Sequence, residues 1–361
     1  MRNNVARVLV VDDSALMRKL IPQILERDTS IQVVGTAMDG TFAMEKIADL
    51  RPDVVTLDLD MPRMDGMETL RKIMRQYKLP VIVVSSLTTE GATATLKALG
   101  LGAFDFVAKP QDATNNMSAV AEELIDKIKV AARCQMISVP EPKVSSSKTR
   151  KTRRPVAPNR VVAIGISTGG PQALQYMLSH FPAEFPATIL VVQHMPEGFT
   201  EMFARRLDET CALEVKEARS GDMLLAGRVL ICPGDRHMKV KRMPLGNVVV
   251  LADGERVNGH RPSVDVLFHS VAREFGTDAV GLLMTGMGED GAEGLGAIKA
   301  AGGMTIAQSE ESCVVFGMPR VAIERGYAAR VVPLDALANA VLAQCQMPPR
   351  SRSVMAVAEA E

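Results

Sequence analysis

The segment ARVLVVDDSALMR, residues 6–18, decides the fold: an apolar run stops at two aspartates and gives way at once to a helix-like stretch. Four more runs follow the same plan: IQVVGTA (31–37), DVVTLD (53–58), PVIVVSS (80–86) and AFDFVAK (103–109). They are continuously apolar rather than alternating, and helix-length amphipathic segments separate them. Strands buried on both faces read this way, so the pattern predicts a parallel sheet covered by helices. Five strands and five helices in about 130 residues make a doubly wound α/β domain of ordinary size.

Beyond it the style repeats. VVAIGIS (161–167), ATILVVQH (187–194), DAVGLLMT (278–285) and GGMTIAQ (302–308) read as further parallel strands, whereas RVLICP (228–233) and NVVVLAD (247–253) read as an inserted hairpin or meander. The chain of 361 residues is thus expected to hold two α/β domains, one flavodoxin-like and one Rossmann-like with an antiparallel insertion. The expected boundaries are 1–130, a linker at 131–159, a second domain at 160–347 and a loose tail at 348–361.

Charge supports the division. Residues 1–140 carry 17 basic and 18 acidic groups, 141–160 carry seven and one, and 161–361 carry 18 and 23. The net charge of zero therefore hides a basic segment, EPKVSSSKTRKTRRPVAPNR, which reads as a flexible tether with a reach of roughly 25–30 Å. Such a run can also bind nucleic acid or an acidic partner. The absence of Trp, the 4% aromatic content and the zero net charge argue against a nucleic-acid binder. No apolar run has the length of a spanning helix and no signal-peptide pattern opens the chain, so a cytoplasmic protein that is not inserted in a membrane is expected. The five cysteines form no C-x-x-C pair, and free thiols are expected.

In an open parallel sheet, ligands bind outside the carboxyl ends of the strands. In the first domain those ends carry Asp12 and Asp13, Asp58, Ser85 and Lys109. Three carboxylates at one edge repel each other unless a cation joins them, and oxygen ligands suit Mg2+. A carboxylate beside Mg2+ can accept a phosphoryl group, with Lys109 neutralising transferred charge and Ser85 donating to a phosphate oxygen. VDDSALMR, TLDLDMPRMDG, VVSS and KP resemble the signatures of response-regulator receiver domains over about residues 5–130. The resemblance implies Asp58 as phosphoacceptor, Asp12, Asp13 and Asp58 around the metal, Ser85 as switch hydroxyl and Phe106 as switch aromatic.

In the second domain GISTGGP (165–171) satisfies G-x-S-x-G, a strand-to-helix turn that exposes the hydroxyl of Ser167. A phosphate-cradling glycine loop is the alternative, but no G-K-[ST] is present and no acid ends the next strand. His194 ends it instead. MTGMGEDGA (284–292) follows the third strand and offers Asp290 or its neighbour Glu289. A nucleophile, a base and an acid at three strand ends suit acyl transfer, with a backbone N–H near Met287 available to an oxyanion. The order Ser…His…Asp is not that of α/β-hydrolases, so that fold is not inferred. His180, His237, His260 and His269 are expected to be structural.

GISTGGP, QHMPEGFT, GHRPSVDVLF and MTGMGEDGA resemble, in order, the blocks of the CheB-type chemotaxis protein-glutamate methylesterases over about residues 160–345. That resemblance implies a Ser167–His194–Asp290 triad, favours Asp290 over Glu289, and puts Met287 and Thr168 near the oxyanion. It further implies phosphorylation-controlled demethylation and deamidation of chemoreceptors, a chemotaxis histidine kinase as phosphodonor, and no metal in the esterase site. Asp60, where many relatives have Glu, the basic linker and the tail from Pro348 depart from the family pattern. A transcription regulator would need a helix-turn-helix-like module, which the sequence lacks, and a decayed esterase acting as an adaptor would lack the triad.

Overall fold

The computed structural model describes residues 5–61, 65–109, 117–134 and 156–346. The first unit comprises β1 (Ala6–Val11), α1 (Met17–Leu25), β2 (Ile31–Ala37), α2 (Gly40–Leu50), β3 (Val54–Leu57), α3 (Gly66–Gln76), β4 (Val81–Ser85), α4 (Thr89–Gly100), β5 (Asp105–Ala108) and α5 (Met117–Ala131). Its five strands form one parallel sheet in the order β2-β1-β3-β4-β5. β3 and β4 are buried along their whole length, as strands with a helix layer on each face must be. Side chains of Asp65 and Thr88 cap α3 and α4 by accepting from the N–H groups of Glu68 and Gly91.

The second unit continues with β6 (Val161–Ile166), α6 (Gly170–Leu178), β7 (Thr188–Gln193), α7 (Phe199–Thr210), β8 (Glu214–Glu217), β9 (Arg228–Ile231), β10 (His237–Met243) and β11 (Gly246–Ala252). Then follow α8 (Val264–Phe275), β12 (Ala279–Leu283), α9 (Ala292–Ala300), β13 (Met304–Gln308), α10 (Met318–Glu324), β14 (Arg330–Val332) and α11 (Leu334–Gln346). Seven strands pair in parallel in the order β14-β13-β12-β6-β7-β9-β8. β10 and β11 form a separate antiparallel pair.

One expectation is corrected here. RVLICP does not belong to the insertion: β9 pairs in parallel with β7 and β8 inside the main sheet. Only NVVVLAD is in the hairpin, and its partner is the more polar HMKVKRM of β10. Val229, Leu230 and Ile231 are buried, so the continuous apolar pattern of a central strand was present in β9 itself.

Both sheets have a topological switch. The chain leaves β1 toward β2 and returns on the other side at β3; it leaves β6 toward β7 and returns on the other side at β12. Crevices outside the carboxyl ends of β1/β3 and β6/β12 are therefore the ligand positions that the topology dictates.

The two units pack together. Phe106 of β5 stacks on Phe199 of α7, with ring centroids 4.8 Å apart and planes 15° from parallel. The side chain of Gln172 in α6 donates to the backbone carbonyl of Leu99 in α4. Arg206 of α7 lies against Gly100, where a side chain would collide with its guanidinium. The apolar cluster built on β1, α1 and α5 also takes in Val315 of the second unit, with Val314 and Met287 packed against it. Residues 156–159 are already tied to the second unit, Val156 through Ala226 and Asn159 through Pro186 and Cys345. Most of the expected tether, the whole tail at 348–361 and Pro110 of the KP motif lie outside the described residues. All five cysteines are free thiols, four of them buried, and no helix among the described residues is long and apolar enough to cross a membrane.

Candidate active site

The first crevice collects the acids that end β1 and β3. Asp12 and Asp58 are buried and Asp13 is exposed, and an oxygen from each lies within 4.8 Å of the others. Lys109, just past β5, places its Nζ 2.6 Å from Asp58 Oδ2 and 3.1 Å from Asp12 Oδ2. Burial raises the Asp58 pKa above the ordinary carboxylate value although Lys109 opposes the rise. Burial likewise works against the Lys109 charge, but the hydrogen bond and charge of Asp58, with Asp12, carry its pKa above the usual lysine value. Asp12 Oδ2 is buried and accepts no well-directed hydrogen bond. A hard cation fits this donor set: two buried carboxylates, one exposed one and an oxygen with coordination to spare.

Ser85 is buried behind the crevice, and its hydroxyl donates to the carbonyl of Gly91 at 3.2 Å. It thus faces the start of α4 rather than the acids. Phe106 is turned away from the crevice and into the contact with Phe199. Both residues expected as switches therefore touch the elements that meet the second unit.

The second crevice is built by three strand ends. β6 runs into Ser167, whose N–H is fixed to the Thr285 carbonyl at 3.0 Å. Gly169 then turns with φ 74°, a left-handed conformation that glycine adopts without cost, and α6 begins. His194 follows β7. Its Nδ1 lies 3.2 Å from Ser167 Oγ and its Nε2 lies 2.8 Å from Asp290 Oδ2. A carboxylate only accepts, so Nε2 carries the hydrogen and Nδ1 presents its lone pair to the Ser167 hydroxyl.

Asp290 is 1% exposed. Besides His194 it accepts from Ser263 Oγ at 2.7 Å, Val264 N at 2.7 Å, Asp265 N at 3.3 Å and Asn258 Nδ2 at 3.2 Å. The two backbone donors open α8, so the helix dipole adds to them. Burial by itself would raise the pKa of this acid; its donors, His194 first, take it well below the usual carboxylate range. Glu289, the alternative from sequence, points outward and pairs with Arg325 at 2.8 Å. Thr168 is buried beside Ser167, and Met287 is half-buried in the loop after β12. Among the described residues the backbone N–H groups of both donate to no other group.

Four contributors were not anticipated. Gln193 ties the nucleophile strand to the base strand by donating to the carbonyls of Ser167 and His194. Asn258, His260 and Ser263 come from the stretch after the hairpin. Val257 and His260 exchange backbone hydrogen bonds across Asn258 and Gly259, which both have positive φ. This is a type I′ turn, and the Asn-Gly pair in VNGH is its sequence signal. His260, expected from sequence to be structural, lies in the site itself: its ring lies flat on that of His194, centroids 3.8 Å apart and planes 13° from parallel. His194, His260 and Asp290 offer ligand atoms within 4.8 Å of one another. Parallel imidazoles at that spacing cannot both aim in-plane lone pairs at one ion, and Asp290 already has its donors, which argues against a metal centre here.

A receiver-type acid crevice and a hydrolase-type Ser–His–Asp arrangement on one chain define a class: a response regulator whose output domain is a serine hydrolase. The family model for the response regulator receiver domain matches residues 8–121, and that for CheB methylesterase matches residues 162–341. The chain belongs to the CheB methylesterase family, with a receiver domain in front of the catalytic domain. It is 62% identical over 354 residues to protein-glutamate methylesterase/protein-glutamine glutaminase 2 of Koribacter versatilis, covering 95% of this chain and 97% of that one. Against the protein-glutamate methylesterase/protein-glutamine glutaminase of Escherichia coli K12 the identity is 46%, covering 94% and 96%. The crystal structure of the Thermotoga maritima CheB methylesterase catalytic domain is 41% identical with a TM-score of 0.51, covering 52% of this chain and 99% of that one.

Proposed function

We propose that the chain is a phosphorylation-regulated protein-glutamate methylesterase and protein-glutamine glutaminase acting on methyl-accepting chemotaxis receptors. The observation that carries the chemistry is the line Ser167 Oγ–His194 Nδ1–Asp290 Oδ2, with spacings of 3.2 and 2.8 Å. Ser167 attacks the γ-carbonyl of a glutamyl methyl ester while His194 Nδ1 takes its proton. The N–H groups of Thr168 and Met287 receive the developing oxyanion, an interaction worth about 3–4 kcal/mol of barrier per donor. Asp290, ionised in its ring of donors, stabilises the imidazolium. His194 returns the proton to the departing methanol, and water releases the glutamate by the reverse proton path. A glutamine side chain enters the same cycle, with ammonia as leaving group.

Regulation resides in the first crevice. Asp58 accepts a phosphoryl group from a chemotaxis histidine kinase. Asp12, Asp13 and Asp58 would hold Mg2+, which when bound neutralises charge on the phosphoryl oxygens. Ser85 exchanges Gly91 for a phosphate oxygen, which frees the start of α4 and loosens the Phe106–Phe199 stack. The receiver covers the entrance to the esterase crevice at rest and moves away on phosphorylation. Driving that equilibrium from 1:99 to 99:1 needs about 5.5 kcal/mol, which sets the scale of the phosphate's differential contacts. The free thiols, four of them buried, suit a cytoplasmic setting. The test is methanol release from methylated receptor membranes: Ser167→Ala is expected to lose activity by about 10^4-fold or more, and retention within tenfold would end the triad reading.

A further inference from the structure

The imidazole of His194 is held at its two nitrogens, by Ser167 and by Asp290. The ring can still turn about its Cβ–Cγ bond, and that rotation swings the lone pair off the serine oxygen. The flat contact of His260 blocks that motion. The position of His260 is set from its backbone: the I′ turn over Asn258 and Gly259 delivers it, and Asn258 anchors the same turn to Asp290 and Asp265. Arg261 then clamps the chain by pairing with Asp235 at 2.7 Å.

One nitrogen of His260 is left without a partner. Its Nδ1 is buried and makes no hydrogen bond among the described residues. The ring is also uncharged at neutral pH, since burial and then the neighbouring His194 push its pKa down to about 4, against the pull of Asp290 and of a backbone hydrogen bond with Asn258. Arg256 acts in the same direction as His194. What the residue offers to the reaction is a neutral aromatic face.

We propose that His260 is a positioning residue for acyl transfer, its ring face holding the His194 imidazole in plane between Ser167 and Asp290 and receiving the imidazolium formed when Ser167 attacks. A cation over a neutral aromatic face is attracted to it, and the attraction exists only once His194 is charged. The contact therefore favours the transition state over the resting enzyme and belongs in kcat rather than KM.

This rests on the Ser167–His194–Asp290 reading, so the experiment carries a control for it. The full chain, with Mg2+ and a small-molecule phosphodonor, is prepared as His260→Phe, His260→Ala and Ser167→Ala. Methanol release gives kcat and KM, an alkyl fluorophosphonate reports the rate of covalent capture of the serine, and thermal melts report folding. His260→Ala is expected to lose about tenfold in kcat and in capture rate, with KM within about twofold. His260→Phe, which keeps the face and discards the nitrogens, is expected to recover to within about threefold of wild type. A wild-type kcat in His260→Ala, or a folded His260→Phe as slow as His260→Ala, overturns the proposal. Should His260→Ala fail to fold, His260→Phe decides alone: near wild-type kcat sustains the proposal and a collapsed kcat overturns it. Turnover or capture in Ser167→Ala would instead remove the triad reading beneath it.

Discussion

The two crevices are built by the same topology and tuned in opposite directions. Each lies at a switch point, β1/β3 in one domain and β6/β12 in the other, and each presents a buried aspartate there. Asp58 has a lysine, a backbone N–H and a second carboxylate nearby, and burial holds its pKa up. Asp290 has five donors, two of them from a helix N-terminus, and its pKa is held down. The difference matches the proposed tasks. An acid that orients a histidine must stay ionised and stationary, and full satisfaction ensures both. An acid that accepts a phosphoryl group needs fewer fixed donors, and a cation to complete its surroundings.

The largest expected effect tests the satisfied acid. Asp290→Asn preserves shape but leaves His194 with the wrong partner, and methanol release should fall about 10^3–10^4-fold. The adjacent Glu289→Gln, which only loses an exposed pair with Arg325, should stay within about twofold. Similar losses from both would erase the distinction between the two acids of the GED stretch.

An intermediate effect tests the link between the crevices. Phe199→Ala removes the ring on which Phe106 stacks. Aromatic pairs contribute about 0.5–1.5 kcal/mol, so unphosphorylated activity should rise roughly two- to tenfold with little change in the phosphorylated rate. An unchanged unphosphorylated rate would detach the stack from regulation.

The smallest effect is on stability. A histidine whose folded pKa is lowered binds its proton in the unfolded chain first, so stability is lost as pH falls from about 6.5 toward about 4. His260→Phe removes that contribution. Between pH 7 and pH 5 it should lose less stability than wild type by about 1–2 kcal/mol, a few degrees in Tm. Parallel melting curves for the two proteins would show that His260 is not buried as described.

What was legible in the sequence follows from how each element is buried. The central strands β3, β4, β6, β7 and β12 are buried on both faces and announce themselves as apolar runs, and the residues that end or follow them include Asp58, Ser85, Ser167, His194 and Asp290. The edge strands of the second sheet gave no such signal. β8 is EVKE and β14 is RVV, each with exposed positions and pairing on one side only, and neither was foreseen. β9 carried the right pattern but follows the edge strand β8, so the missing neighbour made it resemble part of a hairpin. The turn at VNGH was readable from Asn-Gly alone. That its histidine would reach His194 was not, because contacts across 66 positions of chain are set by packing. The meeting of Phe106 with Phe199 escaped for the same reason: each domain's pattern records its own core and not its partner's surface.

In the proposed mechanism the acid crevice governs the serine crevice through the contact between the two domains. Methanol release from methylated receptor membranes, with and without a phosphodonor and Mg2+, tests it most directly, with Asp58→Asn beside the wild-type chain. A marked rise is expected for wild type and none for Asp58→Asn. Equal rates for wild type in the two conditions, with Asp58 demonstrably phosphorylated, would contradict it.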